Sequence, residues 1–172
     1  EHRWLHYVNG HVPECYYTLP LDQPRLALEG TDVTIVATSY MLMEALRAAD
    51  ALAEIGCSAE VVDLRVLRPL NTEIILQSAR KTGGLIVCDT GWKTLGIGAE
   101  IVAQVAEKLP GGLLRPPQRI GLPGHPTPSS IKLAEKFYPD SSDIINAVQI
   151  NCGLTEAKAD YAKSQARKAR GE

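Results

Sequence analysis

The chain has 172 residues, 45% of them hydrophobic and 22% charged, and its 18 Lys and Arg against 20 Asp and Glu leave a formal charge of −2. A chain of that length buries roughly 70% of the surface its unfolded form exposes, so a core can form without disulfides or metal. The balanced charge lacks the basic excess that phosphate-backbone binding requires, which excludes nucleic acid as a general partner. Apolar runs shorter than the ~20 residues that span a bilayer exclude a membrane role as well. The opening EHRWLHYVNGH is not built like a signal peptide, and a soluble, cytoplasmic chain is expected.

Residues 1–30 hold His, Tyr, Pro and Gly without sustained periodicity and read as an extended connector ending in a short edge strand, RLAL at 25–28. From Thr31 the pattern changes. VTIVAT at 33–38 is a β-branched apolar run, followed by Leu42, Ala45, Leu46, Ala49, Leu52 and Ala53 at helical spacing. Ser39 is placed to cap that helix and Gly56 to end it in a left-handed turn. AEVVDL at 59–64 is a second strand, after which Asn71 is expected to cap a helix running to Thr82 and stopping at Gly83 and Gly84. LIVCD at 85–89 is a third strand, with a glycine-containing turn and a helix from about Gly98 to Leu109 behind it, and QRIGL at 118–122 is a fourth.

Strands apolar on both faces, separated by amphipathic helices, predict a three-layer α/β/α sandwich around a mostly parallel sheet. Further on, Pro128 is expected at the first position of a short helix ending at Phe137, with Ser129 and Ser130 as hydroxyls at its start. Asp140 and Asp143 form a capping-box-like pair ahead of a helix with Ile144, Ile145 and Val148 on one stripe. Residues 155–172, rich in Ala, Lys and Arg, read as a polar tail: a solvated or frayed helix. The domain proper is then 31–154.

Ligands of an open parallel sheet bind beyond the carboxyl ends of its strands. The most suggestive loop there is DTGWKTLGIGAEI. Gly91, Gly96 and Gly98 would let backbone amides approach an anion, with Lys93 adding charge beside Trp92 and His125 facing the same edge. The spacing is neither G-x-G-x-x-G nor a Walker motif, so glycines serving a tight turn and close helix packing are the competing reading. Asp63, Arg65 and Arg68 bracket the end of the second strand, where an Asp/Arg pair would fix the loop that Pro69 stiffens. His2, His6, His11 and Cys15 lie close together in the connector, but Gly10 and Pro13 interrupt them and no metal site is expected. Cys15, Cys57, Cys88 and Cys152 form no C-x-x-C pair and fit reduced thiols. No catalytic constellation emerges from the residues alone.

The blocks EGTDVTIVATSYM, AEVVDLRVLRPLN and KTGGLIVCDTGWKTLGIGAEI, in that order, resemble the C-terminal domain of the transketolase superfamily. The likeness is greatest to the beta subunit of thiamin-diphosphate-dependent 2-oxo acid dehydrogenases of the pyruvate, branched-chain and acetoin types. It runs from Glu1 to about Val148. EHRWLHYVNGHVPECYYTLPL resembles the passage out of a preceding pyrimidine-binding domain, FYPD the segment before the last helix, and Asp63 to Pro69 the D-L-R-x-x-x-P run.

The resemblance implies a five-stranded sheet with one antiparallel edge strand at 25–28. It also implies an enzyme that decarboxylates a 2-oxo acid on thiamin diphosphate and passes the acyl group to the lipoyl arm of an acyltransferase core. The family holds magnesium and pyrophosphate with a Gly-Asp-Gly…Asn motif and activates the coenzyme with a glutamate of the pyrimidine-binding domain. Neither context is present in this sequence. The implied role is therefore that of a domain with no catalytic residue and no cofactor bound by this chain alone. Thiamin diphosphate and magnesium belong to the complete enzyme. The implied partners are an alpha subunit, a second beta subunit and the acyltransferase core. The connector, with its exposed Trp4, Leu5 and Tyr7, and the loop 90–98 are expected to pack against neighbouring chains, and the C-terminal region to lie near the docking surface for the core. Two alternatives are a free-standing anion- or nucleotide-binding regulatory module and the C-terminal domain of a sugar-phosphate transketolase or deoxyxylulose-phosphate synthase.

Overall fold

A computed structural model describes residues 2–171; Glu1 and Glu172, the outer ends of the expected connector and tail, lie outside the described residues. Among them, one strand and the helix that follows it are enough to show why the layers form. In strand β2 (Val33–Ala37) every residue is buried, because Val33, Ile35 and Ala37 face one helical layer while Val36 faces the other. Helix α1 (Tyr40–Ala53) follows, turned back onto the sheet by its Met41, Ala45, Ala48 and Leu52 stripe. Burial on both faces is what a parallel strand requires, since its crossover helices cover both sides.

The same logic generates β3 (Ala59–Asp63), α2 (Glu73–Thr82), β4 (Leu85–Trp92), α3 (Ile97–Lys108) and β5 (Gln118–Leu122). With β1 (Arg25–Leu28) they make a five-stranded sheet in the order β1-β3-β2-β4-β5. β1 runs antiparallel to β3, with Arg25 opposite Asp63, and all other pairs are parallel. Helices α4 (Ile131–Phe137), α5 (Ser141–Cys152) and α6 (Glu156–Arg170) complete the chain. α1, α5 and α6 share the core that holds Ile35, Val61 and Ile86, whereas α2 and α3 share the one that holds Val36, Val62 and Val87. The expected three-layer sandwich with one antiparallel edge strand is the observed architecture.

Several boundaries differ from expectation for identifiable reasons. Ser39 occupies the N-cap position of α1 but makes no side-chain cap: at φ 50° and ψ −123° its backbone turns the hydroxyl away from the free amides. The N-cap of α2 is Thr72, one residue beyond the expected Asn71, although Asn71 Oδ1 still accepts from the Glu73 amide at 3.0 Å. β4 runs three residues past Asp89, because β5 supplies partners there: Trp92 pairs with Leu122, and the Lys93 amide donates to the Leu122 carbonyl at 3.1 Å. α4 begins at Ile131 rather than Pro128, with the Ser130 carbonyl accepting from Leu133 and Ala134. Pro126 and Pro128 instead line a cleft described below. The Asp140–Asp143 capping box is present, and it starts α5 at Ser141.

The largest departure is the C-terminal segment. Expected as a solvated or frayed helix, it is the 15-residue α6, whose Ala159, Ala162 and Ala166 are buried against α1 and α5. A stripe of alanines adds little to hydropathy, yet it lets helices approach closely. The far end is held by charge. Arg170 donates from Nη2 to Glu44 Oε2 at 2.9 Å and from Nη1 to Asp140 Oδ2 at 3.1 Å. Glu44 has no exposed surface and also accepts from the Tyr40 hydroxyl at 2.6 Å, Arg47 Nη1 at 2.6 Å and the Ser141 amide at 3.0 Å. No helix among the described residues is long and apolar enough to cross a membrane.

Removing one partner of a buried carboxylate leaves charge without compensation. Arg170→Ala is expected to cost about 1–3 kcal/mol, discounted because Arg47 and Tyr40 remain, and Arg170→Lys to recover part of it. Denaturant midpoints of the three proteins, with an unchanged slope, would show this; equal midpoints would remove Glu44–Arg170 from the stability of the fold.

Candidate functional site

The carboxyl ends of β2, β3, β4 and β5 carry the loops singled out in the sequence. Between β2 and β4, the Thr38 hydroxyl donates to Asp89 Oδ1 at 2.7 Å and ties two strand ends together. Ser39 Oγ is buried beside them with no hydrogen-bond partner among the described residues, so no base is in place to activate it. Beyond β3, Asp63 forms its ion pair with Arg25 of the edge strand at 3.6 Å. Burial pushes the Asp63 carboxyl up, against the opposing pull of Arg25, Arg65 and the Arg65 backbone amide. Arg65 itself has φ 57°, and the Arg68–Pro69 peptide is cis. Asp63, Arg65 and Pro69 thus lie at the end of β3, on the β1 side of the sheet.

The glycine-containing loop divides between two places. Gly91 and Trp92 continue β4, whereas Gly96 caps α3 and Gly98 lies in its first turn. A Cβ on Gly96 would stand 2.0 Å from the Trp92 carbonyl oxygen, so the turn closes backbone on backbone there. Gly98 faces the Val87 side chain. Neither Gly96 nor Gly98 lines the large cleft at the β5 edge, but Lys93 and His125 both do. Lys93 lies against β5 at Gly121, whose missing Cβ would meet Lys93 N and Cα at 3.0 Å.

This cleft, of about 660 Å³, lies between β5, the loop 123–130, α4 and α5. Its apolar floor includes Ile120, Leu133, Phe137 and Ile150, and the His125 ring sits 5.2 Å from that of Phe137. Arg119 and Lys136 also line it, two cations that the sequence reading did not select. Arg119 had a signal: it is the one charged residue in the strand QRIGL. Lys136 had none, because nothing local shows which side of a seven-residue helix meets β5.

The connector is only partly free. Trp4, expected to be exposed, packs its ring 5.0 Å from those of Tyr40 and Tyr138, while His2 lies 5.0 Å from Tyr40. Tyr7 remains 85% exposed. Among the described residues no group of three or more His, Cys, Asp or Glu could hold a metal ion.

The family model described as "Transketolase, C-terminal domain" matches residues 23–144. The chain belongs to that family. As a transketolase C-terminal domain it is 36% identical over 149 residues to the acetoin:2,6-dichlorophenolindophenol oxidoreductase subunit beta of Cupriavidus necator, covering 87% of this chain and 44% of that protein. It is 35% identical over 141 residues to the pyruvate dehydrogenase E1 component subunit beta of Rickettsia felis, covering 82% and 43%. It is 38% identical over 145 residues to the mitochondrial pyruvate dehydrogenase subunit beta of Pisum sativum, covering 84% and 40%. A solved structure, "Split gene transketolase, inactive beta4 tetramer", superimposes with a TM-score of 0.70 at 30% identity, covering 83% of this chain and 47% of that one. The chain therefore spans less than half the length of each of these relatives.

At the opposite end of this transketolase C-terminal domain, two of the four free thiols meet. A hydrogen bond from Cys57 holds the Cys152 thiol below its ordinary range, with Arg115 assisting against burial and the nearby Asp32. The same contact, together with burial, pushes Cys57 up. The thiolate is the form that alkylates, and it accumulates above the pKa, so Cys152 is expected to react with iodoacetamide with a midpoint below the ~8.5 of a free thiol. Cys57→Ala should move that midpoint upward. Peptide-resolved alkylation rates between mildly acidic and alkaline pH would check it, and an unchanged midpoint in the variant would dismiss the thiol pair.

Proposed function

We propose that this transketolase C-terminal domain is the corresponding part of the beta subunit of a 2-oxo acid dehydrogenase of the pyruvate or acetoin type, where it serves assembly with the other subunits and supplies no catalytic residue. The observation that carries this reading is the sustained likeness: 35–36% identity to beta subunits of both kinds across 82–87% of the chain. The likeness favours the dehydrogenase over a sugar-phosphate transketolase, whose structural counterpart stands at 30%.

The surface is consistent with an assembly role. At the carboxyl ends of the strands Leu67 is 54% exposed, Trp92 63% and Leu95 96%, in the region where Ser39 Oγ has no hydrogen-bond partner among the described residues. Large apolar side chains projecting together from one edge are expected where another protein surface covers them. Among the described residues no cluster of three or more His, Cys, Asp or Glu is available to magnesium diphosphate. This reading assigns thiamin diphosphate and magnesium to protein outside these residues. The alpha subunit, a second beta subunit and the acyltransferase core are the proposed partners.

A domain exchange tests the proposal. This chain, replacing the matching C-terminal region of the Bacillus subtilis acetoin oxidoreductase beta subunit, to which it is 39% identical, is expected to support assembly and acetoin-dependent dye reduction. Trp92→Ser combined with Leu95→Ser should leave the thermal midpoint of the isolated chain nearly unchanged and reduce recovery of the assembled enzyme severalfold. A folded chimera that neither assembles nor reduces dye would reject the assignment.

A further inference from the structure

We infer that the cleft at the β5 edge is a binding site for a small amphipathic anion, a carboxylate or phosphate head on a compact apolar body. This goes beyond the dehydrogenase reading and does not depend on it.

The size of the cleft is the first argument. About 660 Å³ falls within the range of small-ligand pockets, roughly 300–1,000 Å³. Its walls come from separate parts of the fold, so it is a built concavity. β5 contributes Arg119 and Ile120, α4 contributes Leu133, Lys136 and Phe137, and α5 contributes Ala147 and Ile150.

Charge supplies the second argument. Lys93, Arg119 and Lys136 line the cleft, and none of them forms a salt bridge within the described residues. Asp143 is the single acid among the lining residues, and its Oδ2 is engaged by the Asp140 amide at 2.9 Å as part of the capping box. Three cations facing one carboxylate that is already committed leave an excess of positive charge. Arg119 is also anchored: its Nη1 donates to the Lys93 carbonyl at 2.8 Å. A guanidinium carries five N–H donors in a fixed fork, so the anchoring bond leaves others for an acceptor.

The third argument is the pairing of that charge with an apolar floor. Leu133 is 58% and Ile150 70% exposed, and Phe137 of α4 and Ile120 of β5 line the same cleft. Bare phosphate would engage the cations and leave this surface wet. A neutral apolar molecule would cover it and leave the cations unanswered. A ligand with both parts satisfies the cleft, and a second copy of the chain would bring the same cations against these.

The test uses the whole 172-residue chain and four probes: phenyl phosphate, hexanoate, inorganic phosphate and hexanol. Calorimetry and amide NMR shifts of Lys93, Arg119 and Gly121 give the readout. Phenyl phosphate or hexanoate is expected to bind saturably at sub-millimolar concentration, roughly tenfold tighter than either inorganic phosphate or hexanol. Which of the two binds better tells phosphate heads from carboxylate heads. Arg119→Ala and Lys136→Ala should each weaken binding roughly three- to tenfold, and Ile150→Asp, at an exposed position that tolerates change, should weaken it further by repulsion. Lys132→Ala, on α4 but outside the cleft, should leave affinity unchanged. Inorganic phosphate or hexanol matching the amphipathic probes would overturn the inference. So would the absence of shifts at millimolar probe, equal affinity in all variants, or concentration-dependent broadening at the cleft that shows a second copy there.

Discussion

Three helices meet on one carboxylate. Glu44 of α1 has no exposed surface, and an ion so placed is several kcal/mol unstable unless its lone pairs are filled. The amide at the start of α5, through Ser141, and the guanidinium at the end of α6, through Arg170, fill them from elements distant in the chain. Tyr40 and Arg47 fill the rest from α1 itself. Burial and the bond to Glu44 in turn push the Tyr40 phenol up to about 12, so it remains a donor throughout the range in which proteins are handled. A carboxylate at a helix N-terminus is also favoured by the dipole there. The arrangement therefore sets where α5 begins, and α5 is one wall of the β5 cleft.

The two edges of the sheet are managed differently. On one side the antiparallel β1 closes against β3 and anchors Asp63 through Arg25. On the other, β5 pairs only with β4, and its free side opens toward α4 and α5. The cationic cleft lies at that second edge, where backbones approach closely. Gly121 lets the segment after β4 lie against β5, which delivers Lys93 to the cleft that Arg119 and Lys136 also line. The exposed Trp92 and Leu95 lie on the same side of β2. The proposed ligand cleft and the proposed assembly surface thus meet at the end of β4 and the turn after it, which carries Lys93 to one and Trp92 and Leu95 to the other.

The strands were legible because parallel strands are apolar on both faces: VTIVAT and LIVCD are mostly apolar runs, and AEVVDL and QRIGL recur at the spacing of further strand-helix units despite their polar residues. Their ends were less so. β4 continues through Gly91 and Trp92 only because β5 offers hydrogen bonds there, and no local preference of glycine announces it. Ser39 has the residue type of a cap, but the strand-to-helix turn holds it at φ 50° and the type is overridden. α6 was underestimated for another reason: Ala159, Ala162 and Ala166 contribute little apolar area each, and their value lies in how near they let α1 and α5 come. Of the candidate site, Lys93 and His125 were found through their place at strand ends, whereas Arg119 and Lys136 were not.

The amino-acid order alone determined the succession of elements, the sandwich around a mostly parallel sheet and the family. All of these follow from periodicities and motifs that are local in the chain. Which cations share a cleft, which carboxylate is buried and which thiols touch were decided only when β5, α4, α5 and α6 packed. Those relations join residues such as Glu44 and Arg170, or Lys93 and Lys136, across separations that no local pattern records. Their energies arise from desolvation and close approach, which exist only once the chain has closed upon itself.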